Sequence, residues 1–554
     1  MDCRMNGLLK KKSRETNEEG KSPTLRPSKT PPILPSLPPL LGSLLSGILL
    51  ALSFSGDGNS SLAFIGLVPL LFAVQSVSGK KAALLGLLAG FVFFMVSLGW
   101  LHNLTGMVEG VGLKASALLG YAVLALYCAL YFIPVAVTVS ACVRRWGVNT
   151  FRTNIRLMFS ATVVWVAAEY LRSFLFTGFP WIPLGVSQYA SPALIQIAEW
   201  GGVYIVSAFI VWMNTALFIT LHQYIHGIRL RKYRPHGELM IGLLPVALSA
   251  AYGLNTLFNQ PKLWQPITVA LVQPNVPQTE KWDQEKDQEI RGRLEELTET
   301  VARFGGIDLV IWPETALPDF VRTSRTSYAL VKRMTGLGVP LLTGAMDVEF
   351  SESGRTYSNS SLLYGTNGNI IAKYDKQHLV PFGEYVPFPR LMGKFTPVDI
   401  DFSAGTESTL IPLQGKAPFS VLICFEDIVA PLAVKAVRNG ARWLVNQTND
   451  AWFDPGSQSE QHVAHAVFRC VENRIPMARC CNTGVTCTID AYGNVTRNLE
   501  PRTLGSSVNE IHPRPIGLEK TFYTRHPDAF AKFALLAAAT VAFVLRVEGR
   551  KKKS

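Results

Sequence analysis

Charged residues are scarce in this chain. Only 17% of its 554 residues are Asp, Glu, Lys or Arg, where a soluble protein carries about a quarter. A wholly soluble architecture is therefore excluded. Acidic residues are the scarcer kind, 40 against 53 basic, which leaves a formal charge of +13. Basic residues interleaved with aromatics on one face would indicate nucleic-acid binding, and no such face is present. The Lys and Arg residues gather instead at the ends of apolar runs and in the first residues. Of the eight cysteines, no two form a CxxC pair, which excludes a zinc ribbon and a thioredoxin-type site. No small-residue cleavage site accompanies the first apolar run, so it reads as a retained helix and not as a removable signal peptide.

What the chain has in abundance is long apolar stretches. A helix crosses a bilayer with about 20 apolar residues. Seven candidate spans precede residue 260, at roughly 38–54, 62–77, 83–101, 115–141, 157–176, 203–221 and 239–257, and an eighth covers 529–546. The expected organisation is a basic, proline-rich, disordered tail over 1–36 and a seven-helix membrane domain over 37–260. A catalytic domain over 261–515 follows, and then a last helix with a basic end over 527–554. Positive charge marks the first tail, Lys80 and Lys81, Arg144 to Arg156, Arg229 to Arg234 and the final basic run. These are alternate loops and both ends, and the positive-inside rule assigns them to the cytoplasm. The large domain is then expected on the outer, periplasmic side of a bacterial inner membrane.

Within 261–515 the pattern alternates. ITVALVQP, LVIWPE, PLLTGAMD, FSVLICFE and ARWLVNQTND read as strands, and helical spacing separates them, as with Ile290, Leu294, Leu297 and Val301. SSLLYG and IIAKYDK flank an Asn-Gly turn, which predicts a hairpin. This is an α/β layered domain.

Three strand ends carry reactive side chains: Glu314 in IWPETALP, Lys376 in KYDKQHL and Cys424 in LICFEDIV. Glu426 and Asp427 follow the cysteine closely, and a neighbouring carboxylate raises a thiol's pKa. A nucleophilic Cys424 therefore needs a base, which Glu314 supplies, and a cation, which Lys376 supplies. Taken singly the three have plainer readings, as a core cysteine, a turn cap and a surface ion pair.

Taken together with LVQPNVPQTEKW, KQHLVPFGEYVP, NQTNDAWF and, in the membrane part, EYLR and FPWIPLG, these stretches resemble the nitrilase (carbon–nitrogen hydrolase) superfamily. Within it they resemble the apolipoprotein N-acyltransferase family over about residues 38–546. WPET departs from the commoner WPES and keeps the glutamate, and the basic first tail lies outside the family pattern. The resemblance implies an α-β-β-α sandwich on a multi-span helical membrane domain of about eight helices. It implies N-acyl transfer from a phospholipid, through a thioester on Cys424, to the N-terminal amine of diacylglyceryl apolipoproteins. Glu314, Lys376 and Cys424 would be catalytic, the Phe425 backbone N–H would help hold the oxyanion, and Glu384 and Glu426 would support. Trp282 would line the lipid's approach. No cofactor or metal is called for. Two other readings use the same chain differently, as a membrane-anchored amidase that gives the acyl group to water or as a non-enzymatic transporter or scaffold.

Other features carry further expectations. His462 and His465 stand three apart on a helix without an evident third metal ligand. Glu169 and Arg172 make either a structural ion pair or a headgroup contact near the end of a span. Cys470, Cys480, Cys481 and Cys487 leave a disulfide open if they face an oxidising compartment. Residues 386–405 cluster Phe388, Leu391, Met392 and Phe395 beside Arg390 and Lys394. That mixture predicts a lipid-contacting lid in which Leu391, Met392 and Phe395 bind substrate.

Overall fold

The computed structural model describes residues 38–55, 58–108, 110–230, 237–262, 264–352, 354–386 and 401–551. Leu391, Met392, Phe395 and the first tail lie outside the described residues.

All eight expected spans are helical, although their lengths differ from expectation. Five helical stretches among the described residues are long and apolar enough to cross a bilayer: Gly79–Ser97, Val111–Trp146, Val203–Ile225, Gly237–Phe258 and Ala529–Arg550. Pro39–Leu52 and Asn59–Val74 are shorter apolar helices, and Phe151–Arg172 carries several charges along its 22 residues. The stretch Val111–Trp146 is two helices, Val111–Ala129 and Phe132–Trp146. Pro134 explains the break, because its ring crowds the carbonyl of residue 130 and it has no N–H to donate. Helix Gly79–Ser97 meets this pair through Gly86 and Gly90. A Cβ on Gly86 would lie 2.7 Å from Ala136, and one on Gly90 would lie 2.9 Å from the Ala129 backbone. Small residues four apart let the helix backbones approach closely, which is how helices associate in lipid.

Among the described residues the α/β part holds eleven strands. In chain order they are β1 (Ile267–Gln273), β2 (Leu309–Ile311), β3 (Leu341–Ser351), β4 (Gly354–Tyr364), β5 (Ile370–Asp375) and β6 (Phe419–Ile423). Then come β7 (Trp443–Thr448), β8 (Met477–Cys481), β9 (Thr486–Ile489), β10 (Val495–Leu499) and β11 (Gly505–Ile511). One sheet runs β11-β1-β2-β3-β4-β5 and the other β10-β9-β8-β7-β6. β1, β2 and β3 are parallel, as are β6, β7 and β8. The expected hairpin joins β4 to β5, with Gly368 of the Asn-Gly turn at a φ of +79°.

The alternation of side chains assigns the layers. Val269, Leu271, Ile311 and Leu342 of the first sheet pack against Val421, Ile423, Trp443 and Val445 of the second. The intervening Ala270, Val272 and Val310 face helices Asp287–Ala302 and Arg325–Thr335 through Leu294, Val301, Leu330 and Met334. On the far side, Leu422 and Leu444 meet helices Ala430–Arg438 and Gln458–Asn473, in one core continuous with the membrane helices. Both sheets are thus covered on both faces, which is why their central strands read as unbroken apolar runs. Every residue of helix Gln458–Asn473 except Glu460 is buried, because the second sheet lies on one side and the membrane part on the other. The edge strands β10 and β11 were not expected. Their half-exposed, polar sequences (VTRNL and GSSVNEI) lack the apolar alternation of a strand with a buried face.

Candidate active site

The parallel strands bring their C-terminal ends to one place. Glu314 follows β2 by three residues, Lys376 follows β5 directly and Cys424 follows β6 directly. One of the three, and the neighbour of another, sit on unusual backbone. Thr315, just after the glutamate, has a φ of +42° and Cys424 itself a φ of +51°, a region that non-glycine residues seldom occupy and that clusters at functional sites. The Glu314 turn rests on β3, where the Ala316 N–H donates to Gly344 O. A Cβ on Gly344 would stand 2.5 Å from Pro313 O and 2.6 Å from Glu314 Cα, so only glycine admits this approach.

The side chains converge as the strand ends do. Lys376 Nζ lies 2.9 Å from Glu384 Oε1 and 3.3 Å from Glu314 Oε1, with the lysine fully buried. Asn359 Nδ2 donates to both of those carboxylate oxygens at 2.8 Å. Glu314 Oε2 accepts from the Asn449 backbone N–H at 2.9 Å, so both oxygens are fixed. Burial tends to lower the Lys376 ammonium's pKa, but Glu384, Glu314 and Cys424 outweigh it and the net shift is upward. Lys376 therefore stays charged. Burial pushes the Cys424 thiol up, the Glu314 carboxylate adds to this, and the Lys376 ammonium opposes it. The resting cysteine is a thiol that must lose its proton to a neighbour.

The acidic pair after Cys424 does something different from the expected repulsion. The 3-10 turn Cys424–Ile428 folds both side chains back into the protein. Glu426 Oε1 accepts from the N–H groups of Gln377 (2.6 Å) and His378 (3.0 Å). Its Oε2 accepts from the Ile423 N–H and the Tyr374 hydroxyl, each at 2.8 Å. One carboxylate therefore ties the peptides beside Lys376 to the peptide before Cys424. Asp427 Oδ1 lies 2.7 Å from His462 Nε2, and Asp427 Oδ2 accepts from Arg479 at 2.7 Å. The negative charges that act on the thiol are Glu314 and Asp450.

Beneath the cysteine lies a charged layer. His462 Nε2 also sits 3.1 Å from the Cys424 carbonyl oxygen, Asn446 Nδ2 donates to that oxygen at 3.2 Å, and Asp450 holds His462 Nδ1 at 3.2 Å. Burial and Arg479 tend to lower the His462 pKa, but Asp427 and Asp450 prevail and raise it to about 9. His465 has a separate partner, accepting the Ile182 N–H from the membrane part at 3.1 Å. The two histidines therefore serve different contacts. Among the described residues no group of three or more His, Cys, Asp or Glu is placed to hold a metal ion. Cys470, Cys480, Cys481 and Cys487 are separate buried thiols, with Cys480 donating to the carbonyls of Val272 and Ile311.

The membrane part reaches this site through one loop. Arg172 Nη1 donates to the carbonyls of Phe179 and Trp181 at 2.9 and 2.7 Å, and Glu169 Oε1 accepts the Leu184 N–H at 2.7 Å. Glu169 and Arg172 thus brace the two ends of the Trp181 loop and do not pair directly. Trp181 stacks on Phe425 with centroids 6.0 Å apart, and His378 stacks on Phe425 at 5.8 Å. Phe425 is in this way clamped beside Cys424 from both sides. Trp282 is half exposed at the rim.

The sequence reading missed Asn359, Asn449, Trp181, the His462 layer and a buried lysine, Lys281, whose Nζ donates to Thr315 Oγ1 at 2.8 Å. Of these, Trp181 lay within FPWIPLG, Asn449 within NQTNDAWF and Lys281 within LVQPNVPQTEKW, stretches that already stood out.

Comparison with known proteins adds the following. Residues 46–216 match the family described as apolipoprotein N-acyltransferase N-terminal domain, and residues 268–517 match carbon-nitrogen hydrolase. The chain is similar to the apolipoprotein N-acyltransferase of Geobacter metallireducens, with 38% identity over 91% of this chain and 94% of that one. It is also similar to the apolipoprotein N-acyltransferase of Rickettsia bellii, with 28% identity over 92% of this chain and 96% of that one. Among solved structures, Nit3 of Saccharomyces cerevisiae, a member of the nitrilase superfamily, aligns with 46% of this chain and 93% of its own at 19% identity and a TM-score of 0.34.

Proposed function

The chain belongs to the apolipoprotein N-acyltransferase family, and from that premise we propose a mechanism built on Glu314, Lys376 and Cys424. The protein is a multi-pass bacterial membrane acyltransferase that N-acylates lipoproteins. The observation that carries the mechanism is the convergence of the three strand ends, where Glu314 and Lys376 act with opposite sign on one half-buried thiol.

In the first half-reaction Glu314 takes the Cys424 proton and the thiolate attacks an ester carbonyl carbon of a phospholipid. The oxyanion is stabilised by the Lys376 ammonium and the Phe425 backbone N–H. The ester C–O bond breaks, the lysophospholipid oxygen leaves with the proton held by Glu314, and a thioester remains. In the second half the N-terminal amine of the diacylglyceryl-cysteine attacks the thioester carbon and Glu314 takes its proton. The C–S bond breaks and the thiolate is reprotonated. Glu384 keeps Lys376 in place, Glu426 keeps the strand ends in register, and Trp282 borders the lipid's approach. The α/β domain, residues 261–515, faces the periplasm, and both termini are cytoplasmic, as the alternation of basic loops supports.

Mass spectrometry of the purified protein mixed with phospholipid tests this. An acyl adduct on Cys424 is expected, absent in Cys424→Ala and discharged by an amine acceptor. Discharge by water at the same rate without an amine would favour the amidase reading. Reporter fusions test the orientation, with an external signal expected after residue 260 and a cytoplasmic one at Lys232.

A further inference from the structure

Two lysines are buried among the described residues, Lys376 and Lys281. Lys376 has two carboxylates beside it. The hydrogen bonds of Lys281 go instead to neutral oxygens, the Glu314 carbonyl at 3.3 Å and Thr315 Oγ1 at 2.8 Å. A buried ammonium without a bonded carboxylate is costly, so its position needs a reason. A tight turn delivers it, in which the Glu280 and Lys281 N–H groups both donate to Pro277 O. The partners of Lys281 are the two residues of the turn that aims the base, and Thr315, a β-branched residue at φ +42°, is the strained member of that turn. Gly344 closes the turn from the sheet side, and Lys281 closes it from the other.

We propose that Lys281 is a positioning residue for the general base, clamping the Glu314–Thr315 turn and keeping a second positive charge beside the Glu314–Cys424 pair. The proposal rests on the assignment of Glu314 as base and Cys424 as nucleophile. The charge balance supports it. With both lysines protonated, Glu314 and Glu384 are offset and the site is neutral, before and after the thiol proton passes to Glu314. With Lys281 neutral the site carries one net negative charge, which opposes thiolate formation. The charged and titratable groups around Lys281 are Glu314 and Cys424, which raise its pKa, with Lys376 and Glu384 beyond Glu314 and the Trp282 ring at 6.0 Å. Burial outweighs these and lowers Lys281 to about 8, whereas Lys376 and Cys424 are both shifted upward.

The test reads the acylation half-reaction alone, as the burst of nitrophenol from p-nitrophenyl butyrate and the mass of the Cys424 adduct, as a function of pH. The unaltered protein should slow as pH passes about 8. Lys281→Arg, whose guanidinium stays charged, should acylate and carry its plateau to higher pH. Lys281→Met should be slower by about tenfold or more at neutral pH and show no fall at that pH. Thr315→Val should be slower while keeping the fall, because it loses the hydrogen bond and not the charge. Were Lys281→Met to fail to fold, the shifted limb in Lys281→Arg still decides the matter. An unchanged limb in Lys281→Arg, or wild-type rate and limb in Lys281→Met, would overturn the proposal. Absence of any Cys424 adduct in the unaltered protein would overturn the nucleophile assignment, and the proposal with it.

Discussion

Glu384 stands closer to Lys376 than Glu314 does, 2.9 Å against 3.3 Å, and Asn359 bridges the two carboxylates. The lysine is therefore held mainly by Glu384, which in the proposed mechanism leaves Glu314 free to act as base. Neutralising Glu384 should draw the ammonium onto Glu314 and make it a poorer base. The expected cost for Glu384→Gln is about 2–3 kcal/mol, or roughly 30- to 150-fold in the acylation rate. Burst kinetics check this, and the folded fraction should stay near that of the unaltered protein.

Glu426 accepts four hydrogen bonds, three of them from backbone N–H groups that flank Lys376 and Cys424. Glutamine has the same shape but offers one acceptor oxygen and an NH2 group. Glu426→Gln must turn that NH2 toward N–H or O–H donors on one side or the other. Hydrogen bonds to a charged group contribute about 1.5–3 kcal/mol each, and an unsatisfied buried donor costs a similar amount. The expected outcome is a fall in melting temperature together with slower acylation. A variant that kept its stability and lost only rate would show that Glu426 meets the substrate instead.

The meeting of Glu314, Lys376 and Cys424 was legible because each directly or nearly follows an apolar strand, so the α/β pattern puts them at one end of the sheets, while their proposed roles drew on the family resemblance. The eight helical segments were legible for a similar reason, since apolar length is a local property. Lys281 was not. It lies at the end of the matching stretch LVQPNVPQTEKW, but there TEKWDQEK reads locally as a solvated run of charges, and the lysine becomes buried only when that turn docks on the Glu314 loop. His462 was likewise hidden, because nothing local shows that helix Gln458–Asn473 is covered on both sides. The direction of Glu426 and Asp427 depends on the 3-10 turn after β6, which sequence spacing does not reveal. β10 and β11 escaped because an edge strand needs no apolar alternation.

The raised pKa of His462 predicts how stability changes with pH. Its ordinary value is 6.5, and Asp427 and Asp450 raise it to about 9 in the folded protein against the opposing effect of burial. A raised basic group stabilises fully below its unfolded pKa, and that contribution is lost as pH rises through the folded one. The window is therefore about 6.5 to 9, and the amount on the order of 3 kcal/mol. Melting temperature should fall across this window in the unaltered protein and much less in His462→Gln. An equal fall in both would assign the pH dependence to another group.

The last prediction concerns the joint between the membrane part and the site. Gln461 Oε1 accepts from the indole N–H groups of Trp100 at 3.1 Å and Trp181 at 2.7 Å, and its Nε2 donates to the Ser97 carbonyl at 2.9 Å. Trp181 in turn stacks on Phe425, the residue after Cys424. One buried amide thus connects the end of a membrane helix to the peptide expected to hold the oxyanion. Gln461→Leu leaves two indole N–H groups and one carbonyl unpaired, at about 1–3 kcal/mol each. Gln461→Glu keeps both indole bonds and loses the donor to Ser97 O and, at 3.4 Å, to Ser457 Oγ. Acylation should therefore slow strongly in Gln461→Leu and mildly in Gln461→Glu, with melting temperatures in the same order. Trp181 fluorescence should respond in the leucine variant, because the ring loses the hydrogen bond that fixes it over Phe425. Unchanged acylation in Gln461→Leu with a lowered melting temperature would show that this joint supports the fold and leaves the nucleophile's geometry to β6 and the His462 layer.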